Sequence, residues 1–228
     1  MVNDVRMISV LGPLGIFPLV RLSLPARRLL ALLAIRGGQV ERQSVSDALW
    51  PDDLEEAGRA NLRRSLWQVP RGWVSAIGDI LLLEAECDLT RARDTAVRAI
   101  EGGSVTFDEI DLLANDVLPG WHDDWAIAAF EEFRLLRVQA LEAACRTLLE
   151  HCNYPLAIQA GSAAVAAEPL RESATEALID VHLAQHNRYE AVRCYNLLAR
   201  YLEEDLGVAP MASLTLRLSD AGLARRVA

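Results

Sequence analysis

The sequence predicts a mainly α fold in two parts: a short N-terminal part that mixes strands and helices, and a longer all-helical remainder. Three observations carry this expectation. The first 88 residues give strand, three-helix and hairpin signals in that order. From Leu89 onward the pattern is helical to the end. That second part also contains a loose internal repeat. With 228 residues, 52% of them hydrophobic, the chain can bury one large core or two small ones.

The elements follow in order. "MISVLGPLGIF" (7–17) and "PLVRLSL" (18–24) read as strands, short, rich in Val, Ile and Leu, and broken by Gly12, Pro13, Gly15 and Pro18. "LPARRLLALLAIRGG" (24–38) switches to helical period. Pro25 suits its first turn and Gly37-Gly38 its end. "QVER" (39–42) is too short to assign. "QSVSDALWP" (43–51) reads as a short helix with Ser44 as its cap, Asp47 three residues on, and Pro51 as its end. A third helix is expected from about Glu55 to Val69, stopped by Pro70. "WVSAIGDILLLEAECDL" (73–89) then reads as a hairpin turning at Gly78-Asp79. Strands, three helices and a hairpin are the outline of a winged helix-turn-helix with an N-terminal sheet.

Helical segments are expected near 89–102, 107–115, 123–151, 155–167, 171–186, 188–205 and 211–224. Within them "LLEHCNYPLAI" recurs loosely as "HLAQHNRYEAV": Asn153 and Ala157 reappear 34 residues later as Asn187 and Ala191. That is the tetratricopeptide period. Ala157, Ala160, Ala163, Ala164 and Ala167 supply the small residues such helix pairs need for close packing. The predicted domains are therefore 1–88, a winged helix-turn-helix, and 89–228, a tetratricopeptide-like helical domain.

Charge is uneven along the chain. The net charge is -9, yet residues 1–75 carry ten Arg against seven acids, and residues 76–228 thirteen Arg against twenty-five. The segment "RANLRRSLWQVPRGW" (59–73) holds four Arg and no Asp or Glu. On a helical wheel Leu62, Leu66 and Val69 share one narrow core stripe. Asn61, Arg64, Gln68 and, past Pro70, Arg71 lie opposite, with Arg63 and Trp67 on the flank. Arg neutralises phosphate or pairs with guanine, and Asn or Gln pairs with adenine, so this face suits the major groove of double-stranded DNA. The second helix of a helix-turn-helix is the one inserted there. Any soluble helix also displays Arg, Asn and Gln, and a lone flank tryptophan such as Trp67 is ordinarily a packing residue. Arg42 and Ser44 are second-rank phosphate contacts, at a helix start where backbone N–H groups favour anions. Arg27 and Arg28 are equally suited to solvent.

Catalytic signals are absent. There is no P-loop, GxGxxG or GxSxG. "GWHDDW" (120–125) puts His122 beside two acids, but adjacent residues at a helix start cannot face one point; capping by the acids and packing by Trp121 and Trp125 are expected. His182 and His186, four apart and expected on one helical face, lack a third ligand, so a solvated or packed pair is expected. Cys87, Cys145, Cys152 and Cys194 form no CxxC and read as reduced core fillers in a cytoplasmic protein. No catalytic residue, metal or cofactor is expected. No apolar run reaches membrane-span length, and the N-terminus lacks the pattern of a signal peptide.

Three stretches together resemble one family. "LPARRLLALLAIRGGQVERQSVSDALWPDDLEEAGRANLRRSLWQV" resembles the DNA-binding domain of the Streptomyces antibiotic regulatory proteins. "LLANDVLPGWHDDWAIAAFEEFRLLRVQALEAACRTLLE" resembles the start of their bacterial transcriptional activator domain, and "AAEPLRESATEALIDVHLAQHNRYEAVRCYNLLARYLEEDLGVAP" its later helices. The resemblance implies a pathway-specific activator. Its winged domain would bind promoter repeats through Asn61, Arg63, Arg64, Trp67 and Gln68, with Arg71 beyond. Its helical domain would support assembly on DNA, as a homo-oligomer, and contact RNA polymerase. Unlike larger relatives, the chain is expected to carry no ATPase or sensor module. Two departures stand out: Pro70 shortens the reading helix, and the wing tip carries Asp79, which repels phosphate. These leave a second expectation open, a helical protein–protein adaptor whose winged domain no longer binds DNA.

Overall fold

A computed structural model of the chain describes residues 6–223. Part of the N-terminus read above (1–5) and the last residue of the expected final helix (224) lie outside that range. The chain forms two compact units, Met1–Ala92 with Asn115–Phe133, and Arg93–Ala114 with Arg134–Ala228.

In the first unit, β1 (Met7–Ser9) pairs antiparallel with β2 (Gly15–Phe17). Then come α1 (Leu24–Arg36), β3 (Gln39–Glu41), α2 (Arg42–Leu49), α3 (Glu55–Gln68), β4 (Val74–Ile77), β5 (Ile80–Leu83) and β6 (Glu86–Cys87). There are two small sheets, ordered β2-β1-β6 and β3-β5-β4. The predicted hairpin is present, with Ile77 facing Ile80 across the Gly78-Asp79 turn. Two strands escaped the sequence reading. β3, the core of "QVER", pairs antiparallel with β5, and β6 pairs parallel with β1. Each is three residues or fewer, too short for alternation to register.

One expected strand is absent. "PLVRLSL" is irregular from Pro18 to Ser23 although its residues alternate. Pro18 has no N–H to offer a ladder, Leu19 is 90% exposed, and Ser23 is recruited as the cap of α1, its Oγ accepting from the Ala26 N–H. From there α1 runs as predicted. Gly37, at φ 67°, ends it with an N–H bonded to the Leu33 carbonyl. Leu29, Leu32 and Leu33 form the core with Val40, Val45, Leu49, Leu62 and Leu81. Asp88 closes the unit: its carboxylate accepts from the backbone N–H groups of Val10 and Leu11 and from Ser9 Oγ.

The helices continue as α4 (Asp88–Ile100), α5 (Phe107–Ala114), α6 (Asp124–Glu150), α7 (Tyr154–Ala167), α8 (Glu172–Ala184), α9 (Arg188–Leu206) and α10 (Ala212–Asp220). In the second unit the 34-residue period is a repeat of backbone geometry. Cys152 and His186 both adopt positive φ, 57° and 58°. The next residue in each case, Asn153 or Asn187, bonds its N–H back to the carbonyl five residues earlier, at 2.8 Å. These are the same helix-ending turn used twice. Ala157 and Ala191, four residues past each Asn, are fully buried. At the crossing of α7 with its neighbours, a Cβ on Gly161 would stand 3.0 Å from Cys145 Sγ and 3.1 Å from Leu178. Glu142, 4% exposed, is held by Arg171 Nε at 2.5 Å and Ser173 Oγ at 2.8 Å.

Two smaller expectations are corrected. Cys152 is exposed, because the repeat turn places it at a helix end rather than in a core. Cys145 is buried as expected, and burial pushes its thiol up to about 12. His182 and His186 do not share a helical face, since α8 stops at Ala184.

Candidate nucleic-acid interface

The close approach of α2 and α3 is set by small residues. Gly58 on α3 faces Ser46 on α2 so tightly that a Cβ there would meet Ser46 Oγ at 2.5 Å. Ser46 and Ser65 are each 2% exposed, and Ser65 Oγ donates to the Asn61 carbonyl at 2.9 Å. Only Leu62 of the expected stripe is fully buried; Leu66 and Val69 pack against the core from its edge. Buried Gly58 and Ser65 therefore rotate the core-facing side away from the one that Leu spacing indicates. Hydropathy could not show this, because a glycine and a serine carry little apolar signal. The outward centre moves accordingly, to Ala60 and Trp67 between Arg63 and Arg64. Trp67 is 90% exposed, so the expectation that it packs is not met: its ring stands in solvent amid arginines.

The expected contact residues are not equivalent. Arg63, Arg64, Trp67, Gln68 and Arg71 are exposed, and Asn61 is half-buried. Asn61 donates from Nδ2 to Asp53 at 2.8 Å and accepts from Arg64 at 2.9 Å. Gln68 accepts a hydrogen bond from Ser23, just before α1. Arg59 pairs with Glu55 at 2.5 Å and donates to Gln43 at 3.1 Å. Asn61, Arg64 and Gln68 thus form one partnered row, and Arg63 and Trp67 lie beside it.

Arg42 opens α2, at the helix start as expected, but Ser44 is not its cap. α2 starts at Arg42 with Glu41 before it and no side-chain cap, so Ser44 lies inside the first turn. The Ser44 hydroxyl accepts from Arg36 at 2.5 Å, and Asp47 accepts from Gln43 at 2.8 Å rather than completing a capping box. β3 leads directly into α2, which removes the loop a serine cap would need. The Arg42 backbone N–H bonds to the Asp79 carbonyl at 2.8 Å, pinning the hairpin turn to the start of α2. Together they line an open groove with Arg42, Arg59 and Arg63 balanced by Glu41, Glu56 and Asp79. The groove is not a cationic trough; the uncompensated positive surface lies further along α3.

"GWHDDW" is structural. Asp123 accepts from Arg28, so that Arg is paired rather than solvated. Trp121 and Trp125 meet edge to face, 5.7 Å apart at 71°, and Trp125 packs against the first unit's core. Among the described residues, no group of three or more His, Cys, Asp or Glu could hold a metal, and no helix is long and apolar enough to cross a membrane.

A helix-turn-helix followed by an antiparallel hairpin, together with a second unit of 34-residue helix pairs, defines a mainly α protein of winged-helix and helical-repeat design. The chain belongs to the bacterial transcriptional activator domain family, whose model matches residues 84–219. It is thereby a protein of the transcription-regulator type. The solved structure of Mycobacterium tuberculosis EmbR in complex with low affinity phosphopeptide shares the fold, with a TM-score of 0.61 at 23% identity. That match covers 95% of this chain and 64% of that one, so the chain spans less than two thirds of its length. No curated protein matches the chain at significant similarity.

Proposed function

We propose that the protein is a cytoplasmic transcriptional activator that binds promoter DNA through α3 and its flanks, and contacts RNA polymerase through its helical domain. The reading divides the chain into a DNA-binding domain, residues 1–88, and an activator domain, residues 89–228. It also includes assembly of several copies on repeated sites. The observation that carries it is the outward side of α3. Arg63, Arg64 and Trp67 are exposed on a surface that holds no acid between residues 57 and 78. Asn61 and Gln68 complete the row, and Arg71 extends it past Pro70. Arg42 and Ser44 are proposed as backbone contacts of lesser weight. The arginines neutralise phosphate or reach guanine, and the exposed indole offers an apolar edge to a thymine methyl.

A second reading, a protein–protein adaptor of the same lineage, has specific support. Asn61, Arg64 and Gln68 are hydrogen-bonded within the chain, and the hairpin turn presents Asp79. DNA binding requires those side chains to exchange partners. Electrophoretic shift assays with the chain's own upstream region, run against the helical domain alone, separate the readings. DNA binding that needs residues 1–88 supports the activator. Protein capture by the helical domain in the absence of DNA binding supports the adaptor.

A further inference from the structure

The second unit contains a cavity of about 400 Å³ among α7, α8 and α9. That is within the range of small-molecule sites, roughly 300–1,000 Å³. Ile158, Val165, Leu178, Leu197 and Tyr201 supply apolar wall. His182 also lines it, 7% exposed, and its Nδ1 is buried with no hydrogen-bond partner. An orphaned buried ring nitrogen is unfavourable, and no hydrogen bond within the fold answers it. Burial lowers the imidazole's pKa, opposed by nearby Glu190, so the ring is neutral near pH 7 and can accept a hydrogen bond at one nitrogen. At the rim Glu190 and Arg193 pair at 2.9 Å, leaving no unbalanced charge for a charged ligand to meet.

We propose that this cavity binds a small, neutral, largely apolar molecule carrying one hydroxyl or N–H group, toward which the His182 ring turns so that the group donates to Nδ1, an atom otherwise closed off from the cavity. The apolar walls take the body of the molecule, and the paired rim selects against net charge. No part of the site belongs to the DNA-facing surface, so the proposal does not depend on DNA binding.

The test uses the full chain and N-phenyl-1-naphthylamine, a neutral aromatic amine with one N–H that fluoresces when buried. One saturable site per chain is expected. The exposed wall residue Ala166 is changed to Trp to plug the cavity without touching the core. Ala166→Trp is expected to weaken binding at least about tenfold, with an unchanged helical circular dichroism spectrum. His182→Phe is expected to weaken the amine about fivefold while leaving competition by 1-phenylnaphthalene, which has no N–H, within about twofold. Binding that does not saturate, or that Ala166→Trp leaves unchanged, overturns the site. Equal losses for both probes in His182→Phe overturn the hydrogen bond.

Discussion

Helices α3 and α7 have the same length, 14 residues, and opposite designs. α7 is built from Ala and Gly, with Ala157, Ala160, Gly161 and Ala164 buried so that neighbours approach it closely. α3 fully buries only Gly58, Leu62 and Ser65, with Leu66 at the core edge, and past its acidic first turn its exposed side carries Arg59, Arg63, Arg64, Trp67 and Gln68. Both use small residues for close approach, but α7 does so to be enclosed and α3 to be held along one edge. A helix anchored by so little buried surface is available for recognition, and one lined with alanines on its inner side is a structural spacer. The difference separates surfaces that can meet a partner from those already occupied by the fold.

The sharpest way to break this contrast is to attack both anchors. Leu62→Ala removes the one large buried side chain of α3, and we expect a loss of about 2–5 kcal/mol in urea unfolding. Gly161→Val forces methyl groups into the α7 crossing and should cost about 1–3 kcal/mol by the same measurement. If Gly161→Val were neutral, the close approach would not be a constraint. On the display side, Trp67→Ala should leave unfolding free energy within about 0.5 kcal/mol, because the ring is exposed. The same variant is expected to weaken promoter binding severalfold in anisotropy titrations, so a large stability loss without a binding loss would reassign Trp67 to packing.

The smallest expected effect is a pH dependence in the second unit. His182's folded pKa lies below its ordinary value of 6.5, because burial penalises the cation. The unfolded chain therefore binds this proton first as pH falls, and stability drops below about 6.5. The His182→Phe variant should flatten that part of the urea-midpoint profile between pH 5 and 7. An unchanged slope would assign the effect to other groups.

Much of this architecture was legible in sequence. Proline and glycine punctuation located α1 and the ends of α3, and the 34-residue spacing of Asn153 and Asn187 marked two identical turns. What escaped has physical causes. β3 and β6 are shorter than one full alternation and depend on partners distant in the chain. The "PLVRLSL" pattern satisfies alternation, but Pro18 and the capping role of Ser23 override it. In the candidate site, the wheel placed Arg64, Asn61 and Gln68 on the outer side but misjudged its centre. The contact of Gly58 with α2 and the burial of Ser65, rather than leucine spacing, determine which way α3 faces. Hydrogen bonds from Asn61 to Asp53 and from Ser23 to Gln68 join residues that no local pattern connects.

The central claim is that the arginine-bearing side of α3 binds promoter DNA. Its most direct test is a fluorescence anisotropy titration of the chain's upstream DNA at several salt concentrations, comparing the native sequence with Arg64→Ala. The account predicts saturable binding whose affinity falls steeply with salt, and a loss of about 1–3 kcal/mol in the variant if Arg64 meets a base. Folded protein that shows no saturable binding even at low salt would contradict it.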